Sequence, residues 1–357
     1  RDRLRSRGLG DVYKRQGEEQ VRKRTRNHNL SIKGIFKLGN RHKLSVGTEY
    51  IVDVLKSQTD NIAKEDAYTL ALFAQDEIKL LRNLQALIGV RYIYHENFKN
   101  HATPNVALMY KPGKFNFRAS YAAGFRTPTL SELYATDIAK KNDRLTIGNL
   151  DLKSEKNNYF SLSAEYVHER FSVSVNAFYN NIRDMIDYNT IATGDKAMEQ
   201  YGHKEVRQRD NIAEAKVHGI NVSANAYLGA GFNLSGGYTH LNTQDVELEQ
   251  PIDKSIKNAY NINAQWAHSW KIYRLNINLN GRINSKRFSK SYGYAPEYQL
   301  WNLNTRHSFN LKSVIIEPGC GMENLFDYMD DRPYNSNYAT LTPGRSFYIS
   351  LSLKFKS

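Results

Sequence analysis

A chain of 357 residues with a mean hydropathy of −0.63 that still carries 24 Tyr, 15 Phe and 3 Trp is neither a helical membrane protein nor a disordered one. It has no run near the roughly 18 apolar residues that a spanning helix needs, and its aromatic load exceeds that of a chain unable to bury a surface. Its formal net charge of +14 is spread over alternate positions rather than gathered in one patch, which argues against a nucleic-acid partner, and the single cysteine, Cys320, excludes a disulfide framework and a Cys-based metal site.

The first 16 residues hold six Lys/Arg against two Asp and no apolar segment of a secretory signal. The run resembles a translated sequencing adaptor, so residues 1–16 are expected to be a non-native tail and 17–357 the folded part. From about residue 24 onward, apolar and polar residues alternate. In Tyr273–Ile283 every odd position except Gly281 is apolar and every even one is Asn or Arg; Phe171–Tyr179, with Phe178 as the one exception, and Ile220–Leu228 alternate in the same way with Ser and Asn on the second face. A period of two places these sets on opposite faces of a sheet, and the Asn, Ser and Arg on the second face suit a wet lumen better than a dry core. Membrane β-barrel strands have this pattern, which never raises the windowed hydropathy.

Connections alternate as well. Tight links are expected near 39–41, 81–83, 112–113, 168–170, 229–231, 269 and 312. Long polar links are expected near 55–65, 95–102, 124–156, 186–204, 246–257, 286–297 and 325–343. Short turns at one end and long loops at the other are the signature of periplasmic and extracellular connections. Counted this way the chain holds about fifteen strands of a transmembrane antiparallel barrel, taking roughly 9–11 residues per spanning strand. Single-chain bacterial barrels have an even number of strands, so at least one N-terminal strand is expected to lie outside the sequence.

The last strand, Gly344–Ser357, alternates without fault and carries Phe355 near its end. It resembles the element read by the outer-membrane barrel assembly machinery, which makes that machinery an expected partner.

Four patterns in chain order resemble the C-terminal halves of TonB-dependent receptors. The first is Tyr121–Tyr134, with Phe125-Arg126-Thr127-Pro128 and then Leu130-Ser131-Glu132-Leu133-Tyr134. The second, Gly148–Lys156, contains Asn149 and Leu150. The third is Phe178–Ile186, followed by Asn211–Ile220. The fourth joins Asn324-Leu325-Phe326-Asp327 to Pro343-Gly344-Arg345 at the entry to the final strand. The resemblance spans roughly residues 24 to 357. It implies a 22-stranded outer-membrane barrel plugged by an N-terminal domain and energised through the TonB complex. The chain would then hold about 15 of those strands, with the plug lying outside it.

Candidate ligand-binding residues follow from that reading. Arg118 and Arg126 offer guanidinium groups, which match carboxylate or phosphate bidentately. The competing reading has Arg126 anchoring the loop after its strand and Arg118 as a plain lumen charge. The long loop after Arg126 carries Tyr134, Asp137, Lys140, Lys141 and Arg144, and loops longer than about 12–15 residues are usually functional or disordered. The resemblance leads one to expect a haem-binding histidine between the first two boxes, and none stands from Phe125 to Leu152; His95 and His101 lie in another expected loop. Asp330 and Asp331 lack the spaced oxygens of a calcium site. No catalytic constellation, cofactor or metal is expected. The sequence therefore predicts part of an outer-membrane receptor that takes up a scarce bulky nutrient, an iron chelate or a cobalamin-like ligand, in contact with outer-membrane lipid. The alternative is a passive porin-type barrel.

Overall fold

The computed structural model describes residues 23–58, 60, 62–139, 142–289, 293–330 and 343–356, with backbone alone at 212 and 213. The expected tail 1–16 and the loop lysines Lys140 and Lys141 lie outside the described residues, as does Asp331.

The alternating runs form strands. The first six are β1 (Lys23–Leu38), β2 (His42–Ser57), β3 (Ile62–Leu81), β4 (Leu84–His95), β5 (Lys99–Tyr110) and β6 (Phe115–Arg126). A long connection then holds α1 (Leu130–Tyr134), β7 (Asp137–Ala139) and β8 (Arg144–Ile147). After it come β9 (Glu155–Val167), β10 (Phe171–Thr193), α2 (Gly194–Tyr201), β11 (Glu205–Gly229), β12 (Phe232–Asp245), β13 (Asn258–Trp270) and β14 (Tyr273–Asn284). A small hairpin, β15 (Arg287–Ser289) with β16 (Gly293–Ala295), precedes β17 (Tyr298–Asn310), β18 (Val314–Glu323) and β19 (Ser346–Phe355).

Leaving aside the short strands β7, β8, β15 and β16, each strand pairs antiparallel with the next, so fifteen strands run as one meander from β1 to β19. Among the described residues the sheet does not close: β1 pairs only with β2, and β19 only with β18. No helix among the described residues is long and apolar enough to cross a membrane, which leaves strand crossing untouched.

The two faces differ as the alternation requires. Ile349 and Phe355 of β19 are 88% and 81% exposed, and Leu162, Leu72, Ile88 and Leu351 are exposed on the same outer side of the sheet. Such a continuous apolar band has lipid as its fitting solvent. The other face is polar and cross-linked. Arg91 bonds Glu49, Asn27 Nδ2 donates to Asp53 (2.8 Å), Ser120 meets Ser161 (2.6 Å), and Asn263 donates to Asn278 at 2.8 Å. Core-like packing is confined to small clusters near the long-loop end.

The seven turns at one end are short. In the turn after β11, Gly231 has φ +86°, and a Cβ there would lie 1.9 Å from the Ala267 carbonyl oxygen, so only glycine fits this close approach. Two links expected to be long are tight instead. β2 and β3 stay paired up to Ser57↔Ile62, and β4 and β5 up to His95↔Lys99. The turn expected at Ser269 lies at Lys271–Ile272, because β13 continues to Trp270. The physical reason for the long strands is that they project past the bilayer, where lipid no longer imposes the period of two and the residues read as loop; β10 and β11, at 23 and 25 residues, overrun the roughly 9–11 needed to span it.

Candidate functional site

The connection from Thr127 to Ser154 folds across the long-loop end as a strap pinned at three places. Pro128 ends β6, since it has no N–H to donate to a ladder. Thr129 then caps α1: its hydroxyl accepts from the Glu132 N–H (3.2 Å), and Glu132 Oε2 accepts from the Thr129 N–H (2.8 Å). This reciprocal box satisfies two donors that the helix start leaves free.

The first pin is Arg126. The register sets it opposite Glu155 on β9, and its Nε and Nη2 donate to the two Glu155 oxygens at 2.7 and 2.6 Å. Its Nη1 donates to Glu132 at 3.0 Å, and Glu155 Oε1 also accepts from the Ile186 N–H (2.8 Å). One guanidinium thus ties the end of β6 to the start of β9 and to α1. The second pin reaches β2 and β3. Leu130 and Ala135 pack on Leu55 and Ala67, and Asp60 accepts hydrogen bonds from the N–H and hydroxyl of Thr136 and from Ser57. The third pin lies on β11 and the connection before it. β8 runs parallel to β11 from Arg144↔Glu205 to Ile147↔Gln208, His203 Nδ1 lies 2.8 Å from Asp143, and Asn149 Nδ2 donates to the Arg209 carbonyl (3.0 Å).

Behind the strap lies a cavity of about 630 Å³, between α1 and the upper ends of β5, β9 and β10. Lys99, Lys153 and Lys156 line it against a single carboxylate, Asp184, with Phe98, His101, Tyr134 and Leu152 as its aromatic and apolar walls. His101 is already engaged, stacked on Phe125 at 3.7 Å between ring centroids and within 2.9 Å of the Phe98 carbonyl through Nε2. His95 is buried, and its Nδ1 accepts from the Asn97 N–H. No group of three or more potential metal ligands occurs among the described residues. The arrangement fits an anion with flat, apolar surface.

The structure separates the two arginine candidates. Eight residues apart on β6, Arg118 and Arg126 stand roughly 26 Å from each other, at about 3.3 Å per residue. Arg118 sits near the short turns with Met109 as its neighbour (3.5 Å), far from the cavity. Tyr134 lies in the cavity wall and Phe125 borders it through His101. Arg144 is in β8, its Nε enclosed without an acceptor. Leu150 is at the cavity's edge, while Asn149 holds the strap.

The C-terminal motif builds a different junction. Buried Asn324 accepts from the Tyr328 N–H (2.8 Å) and donates to the carbonyls of Tyr328 and Pro343. Asp327 accepts from the Arg345 N–H (2.6 Å) beside Gly344, Leu325 N–H donates to the Trp301 carbonyl (2.7 Å), and Phe326 meets Trp301 edge-on. These residues fasten the return into β19. Sequence reasoning missed Lys99 as a candidate. Lys153, Glu155 and Lys156 stood in or beside the second box without a role assigned to them.

The carboxylates of the strap carry a pH dependence. Burial alone would raise Glu132, yet the Thr129 N–H and the Arg126 guanidinium hold it below the ordinary glutamate range. Burial likewise opposes ionisation of Asp60, and the bonds from Ser57 and Thr136 outweigh it and lower that carboxyl. A carboxylate with a depressed folded pKa stabilises above its unfolded value, about 4, and that contribution disappears as pH falls through the folded pKa. Hydrogen-exchange protection across 127–139 is therefore expected to hold from pH 8 to 5 and to fall below pH 4. Protection unchanged at pH 3 would show that these carboxylates do not hold the strap.

Comparison with known proteins follows the same lines. A family model described as TonB dependent receptor-like, beta-barrel, matches residues 2–325. The curated ferric enterobactin receptor of Pseudomonas aeruginosa is 23% identical over 372 aligned residues, covering 89% of this chain and 49% of that protein. The crystal structure of a mutant ferric enterobactin receptor, PfeA, from the same organism superposes with a TM-score of 0.75 at 19% identity, covering 94% of this chain and 54% of that one. The siderophore receptor PirA from Pseudomonas aeruginosa gives a TM-score of 0.72 at 18% identity, with 94% and 57% covered. The chain thus spans about half the length of the relatives it matches.

Proposed function

The chain belongs to the TonB-dependent receptor-like β-barrel family, and from that premise we propose that it forms barrel wall and strap of an outer-membrane receptor for an anionic iron chelate of the siderophore type. Receptors and transporters, rather than enzymes, make up this family. The relatives named for ferric enterobactin and siderophores support the cargo class. The observation that carries the reading is the cavity behind the strap, where three lysines face one carboxylate beside Phe98 and Tyr134. Ammonium groups attract an anionic chelate and the aromatic walls give its flat rings apolar contact, which is the balance of shape and charge that ligand sites use. Arg126 acts here as a positioning residue, its guanidinium committed to Glu155 and Glu132, and Arg144 stands in β8 of the strap, outside the cavity lining. On this reading the inner-membrane energy source reaches the receptor through TonB and a plug inside the barrel.

Uptake of a labelled ferric tris-catecholate by cells expressing the gene is the test. We expect accumulation that stops when TonB is deleted or the inner membrane is de-energised. Accumulation that persists without TonB would overturn coupled transport in favour of a passive porin-type pore.

A further inference from the structure

The seven short turns carry charge of one sign. Arg41, Arg82, Lys111, Lys114, Arg170, Lys271 and Lys312 stand in them, against one acid, Glu169. All seven cations are exposed, and none forms an ion pair among the described residues. The seven connections at the opposite end hold fifteen acidic and thirteen basic residues, so the excess belongs to one end only.

Beside the cations lies an aromatic belt. Tyr110 precedes Lys111, Phe115 follows Lys114, Phe171 follows Arg170 and Trp270 precedes Lys271. Phe232, Trp270 and Phe309 are exposed, Trp266 and Tyr273 half-buried between them, and the rings touch laterally on the outer face: Phe232 with Trp266, Trp266 with Trp270, Trp270 with Tyr273, and Tyr273 with Phe309, at centroid distances of 5.0 to 6.1 Å. Aromatic rings settle at the boundary between acyl chains and headgroups. A cation one residue further out is then at the level of lipid phosphates, with Glu169 the one turn carboxylate set against the seven cations.

We propose that this collar binds the phosphates of anionic phospholipids in the adjacent leaflet. The inference rests on the outer-membrane reading above. Lys and Arg at a membrane surface attract anionic lipid, and seven turn cations against one carboxylate leave that attraction largely uncompensated by protein. The lipid contacts also hold the short-turn end at a fixed depth, because desolvating an unpaired cation opposes its withdrawal into the acyl region.

Tryptophan quenching by brominated lipids tests it, in a Trp301→Phe background that leaves Trp266 and Trp270 beside the collar. The chain is refolded into phosphatidylcholine vesicles containing brominated phosphatidylglycerol, or the same fraction of brominated phosphatidylcholine. We expect about threefold enrichment of phosphatidylglycerol around these tryptophans. Lys114→Gln, Arg170→Gln, Lys271→Gln and Lys312→Gln together remove the collar cations of the turns nearest these tryptophans and should bring it near one. The matched loop variant, Lys196→Gln, Lys254→Gln, Lys257→Gln and Lys286→Gln, should leave it intact. Insertion without enrichment, enrichment that survives the collar variant, or equal loss in the loop variant would each overturn the collar. Protein that stays aqueous with both lipids would overturn the membrane reading itself.

Discussion

Arg126→Ala is expected to release the strap while leaving the barrel wall in place. The substitution removes a two-pronged hydrogen bond to Glu155 and a third bond to Glu132, at 2.6 to 3.0 Å, and strands both carboxylates in half-buried surroundings. A charged hydrogen-bonded pair broken on one side costs more than the pair contributes, because the remaining charge keeps its desolvation. The Arg126 side chain is 41% exposed, which moves the cost toward the lower end of the range for buried pairs, about 2–3 kcal/mol. That corresponds to roughly a 30- to 150-fold rise in the population of the open strap. The wall does not depend on this residue: β6 and β9 stay in register over twelve residue pairs, of which Arg126↔Glu155 is the last. Limited proteolysis should therefore cut within 127–154 at least tenfold faster, with unchanged β-sheet circular dichroism. Arg126→Lys keeps the charge but loses the planar fork and should fall between the two. Equal cleavage of the wild type and the alanine variant would mean that Leu130, Leu133 and the Asp60–Thr136 bonds hold the strap without the arginine.

The wall of this molecule is legible in its sequence because lipid and water impose a period of two on every strand, and the pattern counts strands without any contact being known. Tyr273–Ile283 shows this directly: its odd residues face out beside Trp266 and Phe309, and its asparagines face the lumen network. The same rule misreads the strands where they leave the bilayer. In 55–65 and 95–102 one face is covered in part by the strap and by loop residues rather than by lipid, alternation weakens, and paired backbone reads as loop.

Strap geometry is legible only in part. The Thr129–Glu132 box is local and visible three residues apart, and the competing reading of Arg126 as a loop anchor agrees with its bonds. Its partner Glu155 lies 29 residues away, Asp60 is 76 residues from Thr136, and His203 is 60 from Asp143. Those pairings depend on register and on the chain crossing the mouth, which residue types do not encode. Period two also sets Arg118 and Arg126 on one face while saying nothing of the rise that parts them. Lys99, Lys153 and Lys156 look like solvated surface charge until the fold gathers them round one cavity.

The most direct test of the receptor reading is equilibrium binding of a ferric tris-catecholate to the membrane-inserted protein, compared with Lys99→Gln, Lys153→Gln and Lys156→Gln combined. Partly exposed charge contacts contribute about 0.5–1 kcal/mol each, so the triple variant should bind roughly 10- to 150-fold more weakly. Raising the salt from 0.05 to 0.5 M should weaken the wild type markedly and the variant little, since screening acts only on charges that are present. Circular dichroism and strap proteolysis should not change, because none of the three lysine side chains pins the strap. A tenfold or greater loss of affinity with loss of salt dependence is the predicted result; unaltered affinity in the triple variant would contradict the assignment of the cavity as the chelate site.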